Sequence, residues 1–102
     1  MNINTDTIKK LEKISGEKLT FGNLISSIRL GEEITQVEFA KMLGVSKQYL
    51  CDVEHGRRVV SISTAAEWAK KLGYSTDQFV RLTIQDELDK SKLKLTVHIK
   101  AA

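Results

Sequence analysis

The stretch TQVEFAKMLGVSKQYLCDVEHG, from Thr35 to Gly56, decides how this chain is read. Thr35 with Glu38 three residues on forms a capping box. The residues after it place Phe39, Ala40 and Leu43 on one side of a short helix. Gly44 supplies the permissive backbone for a tight reversal, Val45 plugs the corner, and Ser46 caps a second helix whose inward residues are Leu50 and Val53. The outer face of that second helix is then Ser46, Lys47, Gln48, Cys51, Asp52 and His55. Amide and charged donors at the N-terminal end of such a helix have the chemistry to read base edges in the DNA major groove.

At these residues the sequence resembles the Cro and phage-repressor (Xre-type) class of helix-turn-helix proteins, and the resemblance runs from about Thr20 to Leu82. It implies sequence-specific binding of double-stranded DNA by a transcriptional regulator, most simply a repressor. It also implies an ion pair between Arg29, in the helix before the motif, and Glu54, which closes the recognition helix. Lys47 and Gln48 are the expected base readers, Lys for guanine acceptors and Gln for adenine, with Cys51 and Asp52 helping to exclude wrong bases. Arg57 and Arg58 leave the recognition helix where it would meet the DNA backbone, and Gln36, Ser46 and His55 are the further backbone candidates.

The flanking sequence completes an all-α, five-helix domain. Phe21, Leu24, Ile25 and Ile28 form the apolar stripe of a helix capped by Thr20. After a loop at 59–62, Ser63 or Thr64 is the expected cap of a helix through Leu72, stopped by Gly73. Ser75 opens the last helix, with Phe79, Leu82 and Leu88 inward and Trp68 and Tyr74 completing the core. Upstream, Ile8, Leu11 and Ile14 suggest a short amphipathic N-terminal helix. The expected organisation is an N-terminal extension over 1–19, the helix-turn-helix domain over 20–90 and a tail over 91–102.

That tail alternates strictly. Leu93, Leu95, Val97 and Ile99 fall on one face, and Lys92, Lys94, Thr96, His98 and Lys100 on the other, which is a strand signal. No other stretch offers it a partner within the chain. A lone strand leaves its backbone groups unpaired, so the expectation is an antiparallel pairing with a second copy, giving a homodimer matched to a palindromic operator. An alternative keeps the same body and assigns the chain as an antitoxin, which represses its own operon and binds a small toxin protein.

Length and composition limit the remaining classes. The 102 residues suffice for one domain and one modest core. The formal charge is +3, but 20–62 carries Arg29, Lys41, Lys47, Arg57 and Arg58 against Glu32, Glu33, Glu38, Asp52 and Glu54, so the motif region itself is neutral. Affinity for DNA therefore depends on where charges and helix N-termini sit, more than on a generally basic surface. A single cysteine, Cys51, makes no metal-ligand spacing with His55 or His98, and neither a metal nor a cofactor is expected. No nucleophile–base constellation or phosphate loop suggests an enzyme. The absence of a leader or a long apolar run fits a cytoplasmic address with no membrane partner.

Overall fold

Five helices follow one another in the computed structural model, which describes residues 19–102: α1 (Phe21–Gly31), α2 (Gln36–Leu43), α3 (Lys47–Glu54), α4 (Ile62–Leu72) and α5 (Thr76–Lys90). The suggested N-terminal helix around Ile8 to Ile14 lies outside the described residues. All five helices begin alike. Thr20, Thr35, Ser46, Ser61 and Ser75 each stand in an extended conformation and accept, through the side-chain oxygen, the N–H of the residue three positions on. A cap of this kind contributes about 1 kcal/mol to its helix.

Ser61, not Ser63 or Thr64, is the cap of α4, because its hydroxyl accepts the Thr64 N–H at 3.1 Å and also reaches the Thr64 hydroxyl at 2.8 Å. The expected loop is therefore shorter, and Ile62 is already helical.

The helices also end alike. A residue with positive φ follows each one: Glu33, Gly44, Gly56, Gly73 and Lys92. The next N–H then turns back to the carbonyl five residues earlier, as in Val45 to Ala40 at 3.0 Å and Leu93 to Leu88 at 3.0 Å. Left-handed backbone suits glycine, which has no Cβ to clash. At Gly44 this reversal sets α3 across α2 and buries their facing side chains.

The core is one cluster drawn from every helix. Leu24, Ile25, Phe39, Leu50, Val53, Trp68, Phe79 and Leu82 are all but excluded from solvent. Full burial of side chains this large is worth roughly 1.5–3 kcal/mol each. Phe21 stacks on Trp68 and meets Phe79 edge-on, while Tyr74 stacks on Phe79 and stays partly exposed. Polar contacts tie the first helix to the last: Asp86 of α5 accepts the N–H of Phe21 at 2.9 Å, where α1 has a backbone donor with no helical acceptor.

One feature of α5 and one of the tail differ from the sequence expectation. Leu88 is only half-buried, and with Val59, Ile62 and Ile84 it lines an apolar groove of about 420 Å³ between the start of α4 and the second half of α5. There is also no strand among the described residues, the tail included. Two backbone groups of the tail are taken by α5 instead: the side chain of Gln85 donates to the Leu95 carbonyl at 2.8 Å and accepts the Val97 N–H at 2.9 Å. Leu93, Leu95 and Ile99 remain exposed, and Val97 is half-buried.

Candidate nucleic-acid interface

The α3 helix is anchored from beneath and bare above. Leu50 and Val53 are buried, whereas Lys47 and Gln48 in the first turn are exposed, Cys51 and Asp52 in the second are half-buried, and His55 just beyond it is exposed. Ser46 spends its hydroxyl on the Tyr49 N–H at 3.0 Å, leaving the other first-turn N–H groups of α3 pointing outward with the positive end of the helix dipole.

The outer face is organised by Asp52. One of its oxygens, Oδ1, accepts from the Gln48 amide at 3.0 Å and from Arg57 Nε at 3.0 Å. The Arg57 guanidinium holds the Asp52 carboxyl below the usual carboxylate range, with Gln48 adding to the effect, and the carboxylate in turn pushes Arg57 up. Arg57 also reaches Cys51 Sγ at 3.5 Å, and His55 Nδ1 donates to the Cys51 carbonyl at 2.8 Å. Arg58 lies over the ring of Tyr49, 4.6 Å from its centroid, and Tyr49 packs edge-on against Trp68, so this exposed cation is tied to the core through one aromatic ring.

Beneath the far end of α3 lies a second network. Arg29 donates to both oxygens of Glu54, at 2.8 Å from Nε and 3.0 Å from Nη2, and to the Ile34 carbonyl at 3.1 Å. The Gln36 amide donates to Glu54 at 3.2 Å, so this candidate backbone contact has part of its hydrogen-bonding capacity committed inside the protein. The hydrogen bond to Glu54 is the main reason the Arg29 guanidinium is raised above its ordinary value. This network joins α1, the α1–α2 turn and α2 to the last turn of α3, fixing the direction in which α3 leaves the surface.

The helix-turn-helix family model matches residues 25–79, more than half of the chain. The chain belongs to the helix-turn-helix family. It is by type a DNA-binding transcriptional regulator. Among its curated relatives is the ImmF control region 10 kDa protein of Bacillus phage phi105, 35% identical over 83 residues that span 81% of this chain and 74% of that protein. The immunity repressor protein of the same phage is 36% identical over 62 residues, 61% of this chain and 43% of that protein. Neither name is that of an antitoxin. No solved structure gives a significant match.

In helix-turn-helix terms, α2 and α3 are the motif, and α1, α4 and α5 are its support. Two supporting residues escaped the sequence reading. Gly22 sits where α1 crosses the end of α3: a Cβ there would lie 3.1 Å from the Glu54 carbonyl oxygen and closer still to that of Val53. Gln85 is 3% exposed, although it is polar and three residues beyond the inward Leu82. The spacing of Phe79, Leu82 and Gln85, a row of three-residue steps, was the signal available for it. Among the described residues, no group of three or more His, Cys, Asp or Glu side chains could hold a metal ion, and no helix is long and apolar enough to cross a membrane.

Proposed function

We propose that this protein is a repressor that binds a palindromic operator as a homodimer, laying the exposed face of α3 in the major groove. The observation that carries this reading is the exposure of Lys47 and Gln48 in the first turn of a helix held rigidly from below by Leu50, Val53 and the Arg29–Glu54 pair. Lys47 offers an ammonium to guanine acceptors, and Gln48 offers an amide to adenine. Asp52 orients the Gln48 amide through their hydrogen bond, and Cys51 and Asp52 present an acceptor-rich edge to the neighbouring base. Arg57 and Arg58 at the end of α3 take phosphates, assisted by His55, Ser46 and Gln36 along the rim of the motif. One of the two phage phi105 relatives is named as an immunity repressor, which favours a repressor over an activator.

Dimerisation through Leu93, Leu95, Val97 and Ile99 completes the proposal, since one recognition helix spans only a few base pairs and two related by a two-fold axis double the contact. Selection from a random duplex library with the purified protein tests it. The expected product is a two-fold symmetric sequence whose half-sites are centred about one helical turn, roughly 34 Å, apart or a multiple of that. A pool with no enriched sequence, or with one asymmetric half-site only, contradicts it.

A further inference from the structure

Gln85 is a buried polar residue whose amide nitrogen and oxygen are both hydrogen-bonded, and two of its three bonds go to the tail. Its Nε2 donates to Asp89 Oδ1 at 3.0 Å and to the Leu95 carbonyl at 2.8 Å, and its Oε1 accepts the Val97 N–H at 2.9 Å. A carbonyl and an N–H two residues apart are what one edge of an extended chain presents to a neighbouring strand. The Gln85 side chain thus occupies the place of a strand residue on the α5 side of the tail. In extended backbone the intervening residue points its own N–H and C=O the opposite way, and Thr96 makes no backbone hydrogen bond among the described residues.

We propose that Gln85 is a clamp that caps one edge of the tail and presents the other edge, the N–H and C=O groups of Lys94, Thr96 and His98, to the same edge of a second copy. This rests on the homodimer reading above and assigns its register. The occupant follows from the sequence around Thr96. An antiparallel two-fold axis through Thr96 pairs it with itself, sets Leu95 beside Val97 and Leu93 beside Ile99, and brings the exposed apolar side chains together on one face. The opposite face then carries Lys94 beside His98. A different protein strand has no reason to match this centre, whereas a second copy matches it by symmetry. The clamp also changes which donor matters for pairing: the Val97 N–H is spent within the protomer, and the Thr96 N–H is the one left for the partner.

Amide exchange on the full chain, read residue by residue at dilute and concentrated protein beside sedimentation, tests the assignment. The Val97 amide is expected to be protected at every concentration, and the Thr96 amide only where sedimentation shows a dimer. Gln85→Leu is expected to weaken self-association about tenfold, the factor for roughly one to two net hydrogen bonds, with an unchanged helical signal. Gln85→Glu keeps the volume but cannot donate to Leu95, and it should weaken association similarly; it serves if the leucine variant fails to fold. A dimer in which Thr96 exchanges as fast as in the monomer overturns the clamp while leaving the dimer reading intact. A protein that stays monomeric throughout overturns both.

Discussion

Two arginine–carboxylate pairs bracket the recognition helix, and they differ in nearly everything except chemistry. Arg29 and Glu54 are 14% and 4% exposed, and their forked contact is completed by Ile34 and Gln36. Arg57 and Asp52 are 55% and 25% exposed and share one bond at 3.0 Å, with Gln48 on the same oxygen. Removing one partner of a buried pair strands the other charge away from water, whereas an exposed pair exchanges protein contacts for hydration at little net change. The first pair therefore holds α3 in place, and the second arranges what α3 presents. One is part of the fold and the other is part of the proposed reading surface.

The sharpest way to break this distinction is Glu54→Ala. It leaves the Arg29 guanidinium without its carboxylate and should cost about 3 kcal/mol of stability, read by chemical denaturation. A loss well below 1 kcal/mol would mean that water compensates Arg29 and that the two pairs are equivalent. Gly22→Ala tests the same junction from the backbone side. Its methyl group meets the carbonyl oxygens of Val53 and Glu54, so α1 and α3 must separate, at a cost of roughly 1–3 kcal/mol. An unchanged melting temperature would show that the crossing has slack.

A smaller effect of opposite sign is expected away from both pairs. Lys92 is a non-glycine residue at φ 59, and Lys92→Gly should stabilise the chain by about 0.5–1 kcal/mol, visible as a raised denaturation midpoint. Smallest of all is the effect of Arg57→Ala on stability, where the melting temperature near neutral pH should fall only marginally, because the pair is exposed and hydration replaces most of what it contributes. Its signature is elsewhere. Asp52 has a folded pKa below its unfolded one, so the contribution of this pair is present above the ordinary carboxylate range, about pH 4, and is lost as pH falls through the folded value. In Arg57→Ala the Asp52 carboxyl should titrate higher than in the wild type by NMR, and the salt dependence of DNA binding should flatten by about one phosphate contact. A wild-type titration of Asp52 in the variant would show that Arg57 does not hold it.

The same contrast explains what the sequence made legible. The caps at Thr20, Thr35, Ser46 and Ser75 announce themselves because each is a small hydroxyl residue ahead of an apolar helical stripe, and Gly44 and Gly73 mark stops by being glycine. Glu33 and Lys92 end helices in the same left-handed geometry without any compositional sign. At α4 three hydroxyl residues, Ser61, Ser63 and Thr64, compete for the cap, and only the geometry picks the first. The exposed face of α3 followed from helical period alone. Its internal bonds did not: that Gln36 turns to Glu54, or that Gln48 and Arg57 meet on one oxygen of Asp52, depends on rotamers and on how the chain leaves α3. The tail shows the limit most clearly. Its alternation reads as a strand, but the groups that take its backbone belong to Gln85, a side chain on a helix, and periodicity carries no information about such a partner.

The central claim is that the first turn of α3 reads DNA, and the direct measurement is the ratio of affinities for the selected operator and for scrambled duplex at fixed salt, in the wild type and in Gln48→Ala. The account predicts a loss on the operator of about 1–3 kcal/mol, an unchanged affinity for scrambled DNA and relaxed preference at one position of each half-site. A variant that folds normally and keeps the wild-type ratio would contradict it, and would move the reading surface away from α3.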